Sequence, residues 1–473
     1  MEPLDLTGKF WFPGSDTAAQ YGRLIFDFAE GSSLILANRL ARITPDGVLE
    51  AAFGGIRERI FGVVSQEGRE VEVTLINSVQ LSWTGYTPNL VLTGGHFAVD
   101  DTFFEEAVIR FRDLPAWVST GMLNVKVNSD PGADRRELEV QLERPQSQHA
   151  SFTNGRISLD FRWSHKIRPF EQLSVQQLPQ IELHYTEPTD LSDIIASASD
   201  LSALLTLCTD SLGTIRSIDL YRSDVPELLL SGQPIPDSKK KIQLYAKLWG
   251  TDQDTGNRAA VSHQALISFE DAGGIETCAR WLDAAPNLRI VIGSLLTMRA
   301  DNMFGENRFV NVSSAAEGFH RSTIGGLYMD KQEWKTLKRG LRQHLPEEHH
   351  QWFDDCMRHS NAPSLNRRLR QLAEQLDPVT EALVGDVHIW ASVVSQCRNE
   401  LVHLEGERDV YDGADLHWLA ESVFNVTRLC MLLYVGVNHE LVPSLVQSWP
   451  IKSSADYARR AISNLSQVQE ARK

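Results

Sequence analysis

The sequence predicts an α+β chain, with an N-terminal β-rich region of antiparallel, sandwich-like sheets followed by a C-terminal all-α helical bundle. Three observations predict it. Up to about residue 190 apolar residues alternate with a period of two. From about residue 265 they recur every three and four residues. The 473 residues exceed a single core of ordinary size, and neither half contains a fixed-period repeat or low-complexity tract. The expected division is a β-rich region over 1–264, built as one domain or two, a helical connector over 265–300 and a bundle over 301–473.

Each strand candidate is short, β-branched or aromatic, and bounded by Gly, Pro, Asn or Asp. The runs are "GRLIFDF", "SSLILAN", "REVEVTLINSVQLSW", "NLVLTGGHFAV", "AVIRFRDL", "RELEVQLERP", "GRISLDFRW" and "QIELHYT". A helix follows in "PTDLSDIIASASDLSALLTLC", with Thr189 or Asp190 as N-cap and a stripe through Leu191, Ile194, Ile195, Leu201 and Leu205. "TIRSIDLY", "ELLLSG" and "KIQLYAKLW" read as further strands. The loop "SGQPIPDSKKK" between them presents three lysines as a solvated tip, since no Gly-rich phosphate cradle precedes them. Beyond 265, two or three helices are punctuated by Pro286 and Gly325-Gly326. Others are expected near 330–344, 346–358, 364–376, 379–404, 414–435 and 453–470, and their short connections imply antiparallel neighbours.

Composition narrows the function. Hydrophobic residues make up 42% and charged residues 23%, as in a globular protein. The acidic start "MEPLDLTGKFWFPG" lacks the basic flank of a signal peptide, and no run approaches ~20 apolar residues, so a cytoplasmic location with no membrane partner is expected. A net charge of −16 argues against a broad nucleic-acid-coating surface, yet residues 301–473 carry only −4 of it. Five scattered cysteines without a CxxC indicate buried thiols, not disulfides or zinc. Nucleotide-hydrolase, serine-hydrolase and dinucleotide motifs are absent.

One stretch carries chemistry. In the helix expected over 379–404, Leu383, Val387, Trp390, Val394, Cys397 and Leu401 form an apolar seam, and Gly406 is placed to end it. Its last turns, "RNELVH", hold Arg398, Asn399 and His403. Helix-end carbonyls favour the imidazolium form of His403. Asn399 and His403 share a face, whereas Arg398 and His403 lie about 140° apart around the axis. Such a set suits attack of an RNA 2′-hydroxyl on its adjacent phosphodiester. The imidazole moves the proton, the guanidinium stabilises phosphorane charge and the amide orients. The reaction needs no metal and no cofactor.

"RNELVH" resembles the R-x4-6-H motif of the HEPN superfamily, and "NVSSAAEGFHRSTIGG" resembles that domain's first long helix with its inward acidic residue, here Glu317. "GKFWFPG", "GRLIF" and "FEEAVIRFRDLPAWV" resemble the N-terminal domain of ApeA-type anti-phage proteins, so the similarity covers most of the chain. The resemblance implies a metal-independent endoribonuclease cleaving cellular RNA, with tRNA among the candidates, to a cyclic phosphate and a 5′-hydroxyl. It implies a homodimer through the HEPN bundle, so that Arg398 of one subunit assists His403 of the other. A β-rich sensor or regulator would keep the enzyme silent until a phage-derived trigger arrives. Arg398, Asn399, His403 and Glu317 are the expected catalytic set, with Glu317 positioning Arg398 or fixing a histidine tautomer, and His320 a lesser candidate. Lys335, Lys338, Arg339 and Arg342, with Arg367, Arg368 and Arg370, form an RNA-backbone footprint or simply a wet helix face. "PEEHHQWFDDC" reads as a solvated helix, because His349, His350, Asp354 and Asp355 lack metal-ligand spacing. The alternative is a non-catalytic dimer that uses the same positions to hold RNA or protein.

Overall fold

A computed structural model of the chain describes residues 3–43, 49–50, 54–118, 123–129, 136–143, 145–168, 172–229, 231–247, 265–299, 303–358, 360–403 and 411–470. The chain divides into two compact units, Met1–Asp283 and Ala284–Lys473.

In the first unit the strands are β1 (Leu4–Trp11), β2 (Gln20–Asp27), β3 (Gly31–Leu36), β4 (Arg42–Ile43), β5 (Leu49–Glu50), β6 (Ile56–Gln66), β7 (Arg69–Gln80), β8 (Gly85–Thr87) and β9 (Leu90–Thr93). They continue through β10 (Phe103–Phe111), helix α1 (Leu114–Val118), β11 (Leu123–Ser129), β12 (Arg136–Leu142), β13 (Gln148–Phe152), β14 (Gly155–Arg168) and β15 (Gln172–Asp190). Helix α2 (Leu191–Thr209), β16 (Ile215–Tyr221), β17 (Ile242–Ala246) and α3 (Gly274–Ala284) follow. Every strand pairing is antiparallel among the described residues.

The sandwich-like expectation becomes a barrel. Strands β7, β6, β1, β2, β3 and β8 lie side by side, and β8 pairs back onto the end of β7 to close the ring. The period of two sends Phe10, Leu24, Phe26, Leu34, Ile60 and Leu75 inward, where all are fully buried. Closure leaves β8 no free edge at this end of the sheet. The other edge of the sheet continues from β7 through β9, β17, β16, β10, β15, β14 and β13. Helix α2 packs on β10 and β15. Of the two N-cap alternatives Asp190 is the cap, its carboxylate accepting from the Ser192 amide at 2.8 Å. By length and composition α2 could cross a membrane, but most of it is buried within this unit.

Two local readings change. "ELLLSG" forms only an isolated bridge, Leu228 with Pro234, because Gly232 turns the chain and proline cannot donate to a ladder. The three lysines of the following loop are not a solvated tip. Lys239 pairs with Glu105 and Glu106 at 2.8 and 2.7 Å, while Lys240 and Lys241 lie within 3.9 Å of Glu72 and Asp219. Hydrogen bonds from Lys239 and Ser223 hold the Glu105 carboxyl down at about 2.

The second unit is helical. It contains α4 (Arg289–Leu296), α5 (Gly305–Thr323), α6 (Lys331–Gln343), α7 (His350–Cys356), α8 (Leu365–Glu374), α9 (Thr380–Val384), α10 (Val387–His403), α11 (Gly413–Tyr434), α12 (Val442–Gln447) and α13 (Trp449–Glu470). Helix α11 is its centre: residues from Leu419 to Leu432 are buried on every side, and it packs against α13, α5 and α8. An all-round buried helix is the natural hub of a bundle.

The single helix expected over 379–404 is two. Gly385 takes φ +73°, a left-handed conformation, and ends α9. Asp386 then starts α10 by accepting from the amides of His388 and Ile389 at 2.8 and 3.1 Å. With ψ −137° Gly385 lies in a region nearly confined to glycine, so Gly385→Ala is expected to destabilise this unit by about 1–3 kcal/mol, read as a lower urea midpoint with an unchanged m-value.

Candidate functional site

Helix α10 is fixed by its apolar seam. Trp390, Val394 and Cys397 are fully buried, and the Trp390 indole donates to Ser422 Oγ on α11 at 2.9 Å. Gln469 of α13 donates to Cys397 Sγ at 3.4 Å. Burial pushes the Cys397 thiol up to about 12, so it is inert packing. Near the helix end the Tyr411 hydroxyl donates to Glu400, tying the start of the next element back to α10.

This rigid frame presents Arg398 and Asn399. Arg398 is half-buried, with Nη2 3.8 Å from Glu317 Oε2 on α5 and Nη1 donating to Asn399 Oδ1 at 3.3 Å. Its Nε has no hydrogen-bond partner among the described residues. Glu317 also accepts from Arg321, one turn along α5, at 2.7 Å. One carboxylate thus lies between two guanidiniums. The Arg398 contact is longer than a hydrogen bond, so it orients the cation without using up its donors. Helix α10 continues through His403, whose side chain lies outside the described residues, as does Gly406.

Beneath Glu317 lies a buried polar cluster. His320 is fully buried, with Nε2 2.8 Å from Gln371 Oε1 and Nδ1 3.1 Å from Arg368 Nη1. Arginine can only donate, so Nδ1 is the acceptor, and Nε2 carries the proton toward Gln371. The ring is neutral, and burial holds its pKa below the usual histidine value. Arg368 is itself buried and donates through Nε to the Pro363 carbonyl at 3.0 Å.

The sign of the pH effect follows. A histidine whose folded pKa is depressed stabilises the fold above its unfolded pKa, near 6.5, and loses that contribution as pH falls, because only the unfolded chain readily takes the proton. The wild-type helical unit is expected to lose stability between pH 7 and 5.5 more steeply than His320→Gln, compared by urea denaturation at each pH.

The other sequence candidates scatter. Lys338 and Arg342 both pair with Asp354, at 3.0 and 3.2 Å, while Lys335 and Arg339 on the same helix stay exposed. Arg368 leaves the RNA footprint, being 3% exposed. Arg370 approaches His388 at 3.2 Å. His350 bonds the Leu345 carbonyl, and Asp355 pairs with Arg358. No group of three His, Cys, Asp or Glu side chains converges among the described residues. Cys356 is exposed, unlike the other four thiols.

Sequence reasoning missed Arg368, Gln371 and Arg321 as neighbours of the site. A signal existed for Arg368. It sits three residues after Leu365 and four before Leu372, on the apolar stripe of α8, and His320 likewise follows Phe309, Val312, Ala316 and Phe319. A polar residue in phase with a core stripe is a buried polar residue, whose partner must come from another helix.

Residues 5–275 match the family of ApeA N-terminal domain 1, and residues 310–441 match the Apea-like HEPN family, a span containing Glu317, Arg398, Asn399 and His403. No curated protein and no solved structure matches the chain. The first match alone spans more than half of the sequence and the second follows it in order, so this chain belongs to the ApeA family, an ApeA N-terminal domain followed by an Apea-like HEPN domain.

Proposed function

We propose that the protein is a metal-independent endoribonuclease that acts in the cytoplasm as part of anti-phage defence. What carries this reading is Arg398: a guanidinium 27% exposed, aimed by Glu317 and Asn399 but with donors to spare, five residues before His403 on one helix of a HEPN domain. In the reaction His403 takes the 2′-hydroxyl proton as the oxygen attacks phosphorus. Arg398 stabilises the charge on the phosphorane oxygens. The P–O5′ bond then breaks, and the 5′ oxygen leaves with a proton returned by imidazolium, giving a 2′,3′-cyclic phosphate and a 5′-hydroxyl.

The 140° between Arg398 and His403 is bridged by pairing two copies of the helical unit around a two-fold axis. Cellular RNA, tRNA included, is the substrate, with Lys335 and Arg339 available to its backbone. The N-terminal unit restrains the nuclease until a phage-derived trigger binds.

Purified protein incubated with 5′-labelled RNA in EDTA, with extract of phage-infected cells as the source of trigger, is expected to yield shorter products with cyclic phosphate ends beyond those of the extract alone. Tight retention of intact RNA would instead favour a non-catalytic binding module.

A further inference from the structure

The longest strands of the N-terminal unit run past the sheet that holds them. Strand β13 flanks β14 only as far as Leu159, and β10 flanks β15 only from Ile181 onward. Between those limits β14 and β15 pair with each other alone, from Asp160 with Gln180 to Arg168 with Gln172. This makes a two-stranded arm about 27 Å long at ~3.4 Å per residue. Its base is packed, with Phe161 and Gln180 buried, but residues 162–166 are all exposed, and a ribbon two strands wide is marginal in water. Its length is not explained by the stability of the fold.

The residues on the arm are specific. From Asp160 to Gln180 the sequence carries Arg162, Lys166 and Arg168 against Asp160 and Glu171, a net charge of +1, whereas the first 300 residues together carry −12. Strand alternation places Trp163 and His165 on one face and Arg162, Ser164 and Lys166 on the other. Trp163 is 50% exposed, and its ring stacks with His165, centroids 5.4 Å apart and planes 29° from parallel. Arg162 and Lys166 are exposed and form no ion pair among the described residues. Across the strand gap, Trp163 faces Gln177 and Lys166 faces Ser174, so uncharged partners surround both features.

Charges on a ribbon edge also guard against aggregation. That role does not require a half-exposed tryptophan already stacked on an imidazole.

We infer that this arm binds single-stranded RNA wrapped over the edge of β14 that β13 leaves uncovered, with bases stacking on the Trp163–His165 pair on one face and phosphates reached by Arg162 and Lys166 from the other. A duplex keeps its bases stacked on one another, whereas a single strand can offer them to an aromatic platform. The arm belongs to the N-terminal unit, and its binding of RNA does not depend on cleavage at Arg398.

The test uses the full-length chain carrying Arg398→Ala, in EDTA, with anisotropy of a short 5′-labelled single-stranded RNA at about 50 and about 200 mM salt. Trp163→Ala is expected to weaken binding roughly 5- to 100-fold. Arg162→Glu with Lys166→Glu is expected to weaken it further and to flatten the slope of log affinity on log salt by about 1.4, two phosphates at ~0.7 each. Both changes are on exposed positions, and an unchanged circular dichroism melt confirms the fold. Unchanged affinity in both variants overturns the assignment, as does a parent protein that binds no RNA, the outcome expected if the arm holds a protein instead. Cleavage by the wild type with no effect of the arm variants on binding would sink the arm alone. Arm-dependent binding without cleavage would sink the nuclease alone.

Discussion

Arg398→Ala is expected to slow RNA cleavage by about 10²–10³-fold, the usual loss when one preorganised donor to a developing oxyanion is removed. The guanidinium lies 3.8 Å from Glu317, beyond hydrogen-bonding distance, so the substitution deletes a cation without breaking a tight pair. Half-burial of Arg398 makes a large fall in melting temperature unexpected. Because phosphorane charge appears only in the transition state, kcat falls while KM moves little. Arg398→Lys restores part of the rate, since an ammonium supplies the charge but not the planar fork. His403→Ala removes general acid–base transfer, at about 10²–10⁴-fold. Single-turnover cleavage of labelled RNA in EDTA measures all three. Persistent cleavage by both alanine variants would remove the assignment.

The largest expected loss of stability comes from Arg368→Met. Methionine matches the length of the stem but donates nothing, leaving the Pro363 carbonyl and His320 Nδ1 without their donor. A buried acceptor left unpaired costs about 1–3 kcal/mol. Relief of the buried charge offsets part of the sum, for a net loss of about 2–4 kcal/mol. In a helical unit of this size that lowers Tm by roughly 5–15 °C, measured by circular dichroism at pH 7. An unchanged Tm would mean that the guanidinium is not held in the core. Arg367→Met is the control, because Arg367 is only half-buried and its side chain forms no hydrogen bond or ion pair with the cluster among the described residues.

The two substitutions separate the surface of the site from its foundation. Arg398 lies partly exposed in the proposed site, whereas Arg368 is buried and joins α8 to α5 through His320. Loss of Arg368 should reduce activity in proportion to unfolding, and low temperature should restore it.

Much of this was legible locally. Alternation marked β2, β3 and β7 of the barrel before any pairing was known, although β1, β6 and β8 were not read as strands, and Asp190 stood where a helix cap belongs. The seam Trp390, Val394 and Cys397 identified the buried face of α10, and the order of residues in "RNELVH" put Arg398 near its end. Other features were not legible. Leu383 and Val387 keep helical spacing across Gly385, so the break between α9 and α10 is invisible to periodicity. "ELLLSG" has strand composition but no strand to pair with.

Alternation, spacing and caps are properties of neighbouring residues, and for that reason the sequence by itself determined the α+β class, the strand and helix faces, and the candidate Arg398, Asn399 and His403. The tertiary structure alone decided that the sheet closes through β7 and β8, that Arg368 is buried against His320, that Glu317 meets Arg398, and that β14 and β15 outrun their sheet. Each of these depends on which distant segment lies opposite. A side chain's charge is read from its own letter, but its burial and its partner are set by another part of the chain.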